Sequence, residues 1–214
     1  MLSERFTAVH AIHVTPKAVR MLADARAMVC ACPTTERNLG DGIVPVDSFF
    51  NQGVRVSLGT DSHTEIDLLE DARELEYHLR LLKMERAVLD PSRRPAAREG
   101  FTVTEPGALP NGQASAIAAR LFDCATVNGA ASINAPGGTL ETGLPADFFT
   151  VDLNDPSIAG ASSDDLLSAI VFSLARTAIR DVVVGGKRIV EAGRHAEQED
   201  IVERFKALQK KLWG

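Results

Sequence analysis

Three short apolar runs constrain this 214-residue chain more than any other feature. They are FTAVHAI (6–12), MVCAC (28–32) and VRVSL (54–58), and each is followed by residues patterned for a helix. Strands that alternate with helices predict a parallel sheet covered by helices, because a parallel crossover needs a long connection that packs back on the sheet. Thr15 and Pro16 suit a helix N-cap and first turn, so a helix is expected over 16–27. Residues 34–42, TTERNLGDG, read as a polar loop with two glycines, and 45–52 as a short helix. From Glu65 to Val88 one long helix is expected, with Leu68, Leu69, Leu75, Leu79 and Leu82 near helical spacing. Its acidic residues Glu65, Glu70, Asp71, Glu74 and Glu76 read as a solvated face.

Past Pro91 the pattern changes. Residues 91–113 hold four of the ten prolines and read as a long connection. Helices are expected over 114–125 and 126–133, a strand over 147–153, a hairpin over 181–195 turning at Gly185-Gly186, and a last helix over 197–212. The sequence reading assigns no element to 154–180. The resulting domain expectation is a barrel portion over 1–135, a small β segment over 136–196 and a terminal helix over 197–214.

Composition excludes some partners. The net charge of −6 and the lack of a basic run argue against nucleic acid. No apolar stretch reaches the roughly 20 residues of a membrane span. MLSERFTAVH lacks a secretory pattern, and three cysteines give no disulfide framework, so a reducing cytoplasm is expected.

In parallel sheets, chemistry gathers in the loops at the carboxyl ends of the strands. His10, the 33–42 segment and Asp61 to His63 would share that rim. Two roles are open to Asp61: a cap for the next helix, or a metal ligand and general base. His10 can be a satisfied core residue, or it can polarise a substrate. Ser62 and His63 can contact substrate or brace their loop. His13 reads as a peripheral residue. Cys30 and Cys32 share one strand face and read as buried apolar residues.

VHAIHVTPKAV, then CPTTERNLGDGIVPVDSFFNQGVRVSLGTDSHTEIDLLEDAREL, resembles the metal-dependent amidohydrolase superfamily, in the branch of the formimidoylglutamate deiminases beside chlorohydrolases and guanine deaminases. GGTLETGLPADFFTVDL and DVVVGGKRIVEAGRH are similar to the small β domain of those enzymes. The resemblance implies a (β/α)8 barrel with a flanking β-sandwich, of which this chain would carry the last three βα units and part of the sandwich. It implies one divalent ion, commonly zinc, and hydrolysis of a non-peptide C–N bond in a small molecule, here a formimidoylglutamate-like substrate of histidine catabolism. Asp61 matches the family's metal-binding, proton-shuttling aspartate, and His10 its sixth-strand histidine. Ser62 and His63 match the substrate side of that loop. TTERNLGDG matches a segment lining the pocket.

The sequence departs from the family in its metal ligands: the family's fifth-strand metal histidine, and the glutamate that many deaminases carry near it, have no match here. No H-x-H pair occurs in these 214 residues, whereas the family's first strand carries one. The expectation is therefore an incomplete chain. It would work with a separate amino-terminal half or as a homo-oligomer, and be inactive alone. The alternative expectation is a non-catalytic interaction module.

Overall fold

The computed structural model describes residues 2–92 and 113–214. Most of the connection read over 91–113 lies outside the described residues. The chain forms two compact units. The first takes in residues 1–139 and 161–173, and the second 140–160 and 174–214.

In the first unit, β1 (Thr7–Val9), β2 (Met28–Ala31) and β3 (Arg55–Leu58) form a parallel sheet in the order β1-β2-β3. Val29 stands opposite Ala8 and Val56, so the central strand is apolar on both faces. Met28, Val29 and Ala31 are fully buried, as a parallel strand covered on both sides requires. Helix α1 (Pro16–Asp24) is capped by the Thr15 hydroxyl, which accepts the Ala18 N–H at 3.2 Å. Helices α3 (Val46–Asn51), α5 (Gln113–Ala125), α6 (Val127–Ser132) and α7 (Leu166–Ser173) complete the cover. The Asn128 side chain on α6 donates to the Val56 carbonyl at 2.9 Å, satisfying an acceptor on the β3 edge.

Three expectations need correction here. Residues 33–39 form a helix, α2 (Pro33–Leu39), not a loop. Its first turn is closed by two carboxylates, one from elsewhere in the chain and one its own. Asp71 accepts the Thr34 N–H and hydroxyl at 3.0 and 2.9 Å, and Glu36 reaches back to the Cys32 N–H at 2.9 Å. Gly40, at φ +71°, ends the helix in the left-handed conformation that glycine adopts without strain.

The long helix is also shorter than expected: α4 runs Leu68–Lys83. Asp67, not Asp61, is its cap, accepting the Leu69 and Glu70 N–H groups at 3.0 and 3.2 Å. Leu75 and Leu79 are buried, but Leu68 and Leu82 are exposed. Asp71 and Glu76 are buried too, against the solvated-face reading. Glu76 accepts from Arg80 Nε at 2.7 Å and from the Val88 and Leu89 N–H groups at 3.0 and 2.9 Å. It fastens the chain that leaves the helix back onto it.

In the second unit, β4 (Phe148–Val151), β5 (Ile179–Val184), β6 (Lys187–Glu191) and β7 (Arg194–His195) form an antiparallel sheet in that order. The β5–β6 turn falls at Gly185-Gly186, both at positive φ. The Gly185 N–H donates to Asp147 Oδ1 at 2.5 Å. Helix α8 (Gln198–Trp213) ends the chain. Among the described residues no helix is long and apolar enough to cross a membrane.

Candidate active site

The carboxyl ends of β1, β2 and β3 carry the ionisable groups. His10 follows β1, Cys32 and α2 follow β2, and Asp61 lies three residues past β3. His10 Nε2 and Asp61 Oδ2 face each other at 3.7 Å. That is too long for a direct hydrogen bond but suits two groups that share a third atom. Both side chains are part open, with relative exposures of 34% and 47%.

The other face of the imidazole is held from within. His10 Nδ1 lies 3.3 Å from Glu36 Oε1, and Glu36 is 1% exposed. An ionised carboxylate can only accept, so with Glu36 ionised the proton sits on Nδ1 and the Nε2 lone pair is left toward Asp61. Burial pushes the Glu36 carboxyl up, an effect opposed by the Cys32 N–H and by His10. Its second oxygen, Oε2, is buried without a hydrogen-bond partner.

Three of the eight described non-glycine residues at positive φ lie at this site. His10, Ala11 and Asp61 adopt φ of +64°, +51° and +53°. Non-glycine residues rarely sit there, and such strain collects at functional sites. The His10 N–H is fixed by the Cys30 carbonyl at 2.8 Å, which continues the sheet ladder through the strained residue.

Ser62 and His63 fall out differently from each other. The Ser62 N–H donates to Thr35 Oγ1 at 3.1 Å, and the two hydroxyls lie 2.9 Å apart. Thr35, fully buried, also donates to the Thr60 carbonyl at 2.8 Å. Ser62 thus helps pin the Asp61 loop to α2. His63 is exposed beside it, as is His13 on the β1–α1 loop. Cys30 is half-buried and Cys32 buried; the reading of both as plain apolar residues misses that Cys32 Sγ shares a 4.8 Å cluster with ligand atoms of His10 and Glu36. Glu36 and Thr35 escaped individual assignment. Their signal was the T-T-E run directly after Pro33, the form of a helix first turn.

Asp71 supplies a pH test of this support. Burial raises its carboxyl from 3.8 to about 6, with the Thr34 bonds pulling the other way and Glu36 and Asp67 adding repulsion. The folded state therefore holds this proton more tightly than the unfolded state. The contribution to stability is full below pH about 4 and is lost as pH rises through about 6. The loss amounts to about 3 kcal/mol. The advantage of Asp71→Asn over the native chain should grow across that window in urea unfolding at pH 4 to 8. Parallel curves for the two proteins would refute the assignment.

Comparison with known proteins gives this arrangement its relatives. The sequence profile of the amidohydrolase family matches residues 1–189. This chain belongs to the amidohydrolase family. The formimidoylglutamate deiminase of Pseudomonas aeruginosa is 35% identical over 204 residues, 95% of this chain and 41% of that enzyme. A 5-methylthioadenosine/S-adenosylhomocysteine deaminase of Natronomonas pharaonis is 29% identical over 195 residues, 89% of this chain and 38% of that enzyme. Among solved structures, an amidohydrolase from Brucella melitensis superposes with a TM-score of 0.78 at 29% identity, covering 100% of this chain and 42% of that one. An adenosine deaminase from Xanthomonas campestris with bound zinc gives a TM-score of 0.79 at 19% identity, covering 98% of this chain and 43% of that one, and shows the shared fold alone. This amidohydrolase chain thus spans about two fifths of the length of the relatives it matches.

Proposed function

We propose that this chain is part of a metal-dependent hydrolase acting on a non-peptide C–N bond, with N-formimidoylglutamate as its substrate. One observation carries the reading: a carboxylate and an imidazole from different strand ends meet at 3.7 Å on one edge of a parallel sheet. The 35% identity to a formimidoylglutamate deiminase supports the substrate. In this reading the parallel sheet is the last three βα units of a (β/α)8 barrel. Within 136–196, residues 140–160 and 174–196 are then part of the flanking β domain, ahead of the terminal helix. A non-catalytic interaction module is not favoured, because the family is one of hydrolases.

The residues fit a divalent ion. Asp61 offers an oxygen of the kind zinc takes, directly opposite an imidazole nitrogen. Asp61 would hold the ion, and His10 would stand beside it. A bound ion supplies Lewis acidity and makes water a nucleophile near neutral pH. Asp61 accepts the proton that the attacking water gives up and returns it to the departing nitrogen. His10, held at Nδ1 by Glu36, presents Nε2 to the reacting oxygen. Water adds its oxygen to the imine carbon, the C–N bond breaks, and nitrogen leaves as ammonia. His63 and Ser62 lie where the loop meets substrate. A zinc site commonly has three or four protein ligands. We therefore place the remaining ligands on polypeptide matching the rest of the relatives' length, or on a second copy of this chain. A reducing cytoplasm suits the free cysteines.

The test is co-production of this chain with a segment carrying the H-x-H strand. Zinc content and ammonia release from N-formimidoylglutamate are then measured, with 5-methylthioadenosine as the competing substrate. Release from the first substrate, abolished by a chelator, is expected. Release from the second alone would reassign the substrate, and release from neither with zinc bound would defeat the reading.

A further inference from the structure

Helix α8 carries an apolar stripe open to solvent. Ile201, Phe205, Leu208 and Leu212 recur at spacings of four, three and four residues. That is the rhythm of a seam that packs against another helix. Each of the four is about half exposed, and no residue of α8 is buried. Val202 and Trp213 widen the stripe on one side and are exposed as well. Charges border the stripe. At about 100° per residue, Asp200, Arg204 and Lys211 line one flank, with Glu197 just ahead of the helix. Glu199 and Lys206 lie on the other flank. Both flanks run from acid to base along the chain. Within one copy Arg204 pairs with Asp200 at 3.4 Å. Among the described residues Glu197 and Lys211 enter no ion pair.

We propose that α8 is a homodimerisation helix, its apolar stripe covered by the antiparallel α8 of a second copy of this chain. In an antiparallel pair about a two-fold axis each flank faces itself reversed. Glu197 and Asp200 of one copy then meet Lys211 and Arg204 of the other, once on each side of the axis. Ile201 packs against Leu212, and Phe205 against Leu208. A parallel pair would instead set one flank beside the other at equal height. Asp200 would then face Glu199, and Arg204 would face Lys206. Like charges so placed repel, whereas opposite charges at a rim fix orientation and register. An anionic lipid surface would attract the basic half of the helix and repel its acidic half. The acid-first order also suits the dipole of a single helix, but that field gives no reason for the stripe. The 16-residue helix is about 24 Å long. So short a seam makes the pair reversible rather than permanent.

The test is sedimentation of the purified chain over a concentration series. The mass should double toward the high end. Phe205→Glu should hold the chain as a monomer. Two double variants probe the charges: Glu197→Lys with Asp200→Lys, and Arg204→Glu with Lys211→Glu. Each should be monomeric alone, and the two should dimerise when mixed, because an all-basic flank then meets an all-acidic one. A zero-length carbodiimide cross-link on the native chain keeps the proposal testable should a variant lose its helix. Asp200 and Lys211 lie about 16 Å apart along one helix, so a bond between them can form only across copies. That cross-link and the rescue on mixing support the pair. A monomer throughout, a dimer indifferent to these changes or lacking the cross-link, or binding to phosphatidylglycerol vesicles without dimerisation overturns it. No turnover enters the readout, so the result is independent of the proposed hydrolase activity.

Discussion

Asp61→Asn should cut turnover by about 10²–10⁴-fold in the proposed assembly with an amino-terminal segment carrying an H-x-H strand. The change keeps size and shape while removing a charge and a proton acceptor. Asp61 is half exposed and is not the cap of α4, so the fold asks little of it. The effect should therefore fall on kcat and zinc content, with unfolding midpoints unchanged. His10→Gln should lower kcat with less effect on zinc, since His10 stands beside the ion in the proposed arrangement. Full turnover in Asp61→Asn at native zinc content would remove Asp61 from the chemistry.

Glu76→Ala should destabilise the first unit by about 3–5 kcal/mol. Glu76 is fully buried and meets three donors: Arg80 Nε and the N–H groups of Val88 and Leu89. Truncation leaves two backbone donors without their acceptor and strands a guanidinium, which also packs 5.2 Å over the Tyr77 ring. A domain's whole stability is about 5–15 kcal/mol, so this one change approaches it. Glu76→Gln should fall between, because one amide oxygen cannot serve both sides and its NH₂ confronts a donor. Urea unfolding checks both variants. Native-like stability in Glu76→Ala would mean that 88–89 finds another partner.

Much of the sheet was legible in the sequence because its central strand, MVCA, is an unbroken apolar run and the strands on either side are mostly apolar. The rim placement of His10 and Asp61 follows from those strand ends. Helix α2 was missed although Pro33 and the T-T-E run after it have the form of a first turn; the Asp71 carboxylate that holds Thr34 comes from 37 residues on and leaves no local signal. The acidic face of α4 misled for the related reason that Asp71 and Glu76 face inward to backbone donors no periodicity reveals. Helix α7, LLSAIVFS, is apolar nearly all round and short, so it shows no amphipathic stripe. Which polar residue caps a helix is likewise a matter of geometry: Asp61 and Asp67 both precede α4, and only the coordinates separate them. Glu36 was inside a segment known to matter, but its partnership with His10 needs two strands and a helix in place.

The left-handed residues at the site bear on how such a chain would respond to selection. His10, Ala11 and Asp61 each hold a conformation costing about 1–3 kcal/mol for a residue with a side chain. Glycine at any of the three would relieve that cost. A laboratory selection for thermal stability alone would thus be rewarded at the rim, as it would at the left-handed residues Arg26, Met84, Ala87, Asn134 and Ala192. At His10 and Asp61 such variants would gain melting temperature by erasing the imidazole or the carboxylate. Robustness and chemistry compete here at two named backbone positions, so screens for a hardier chain should score both at once.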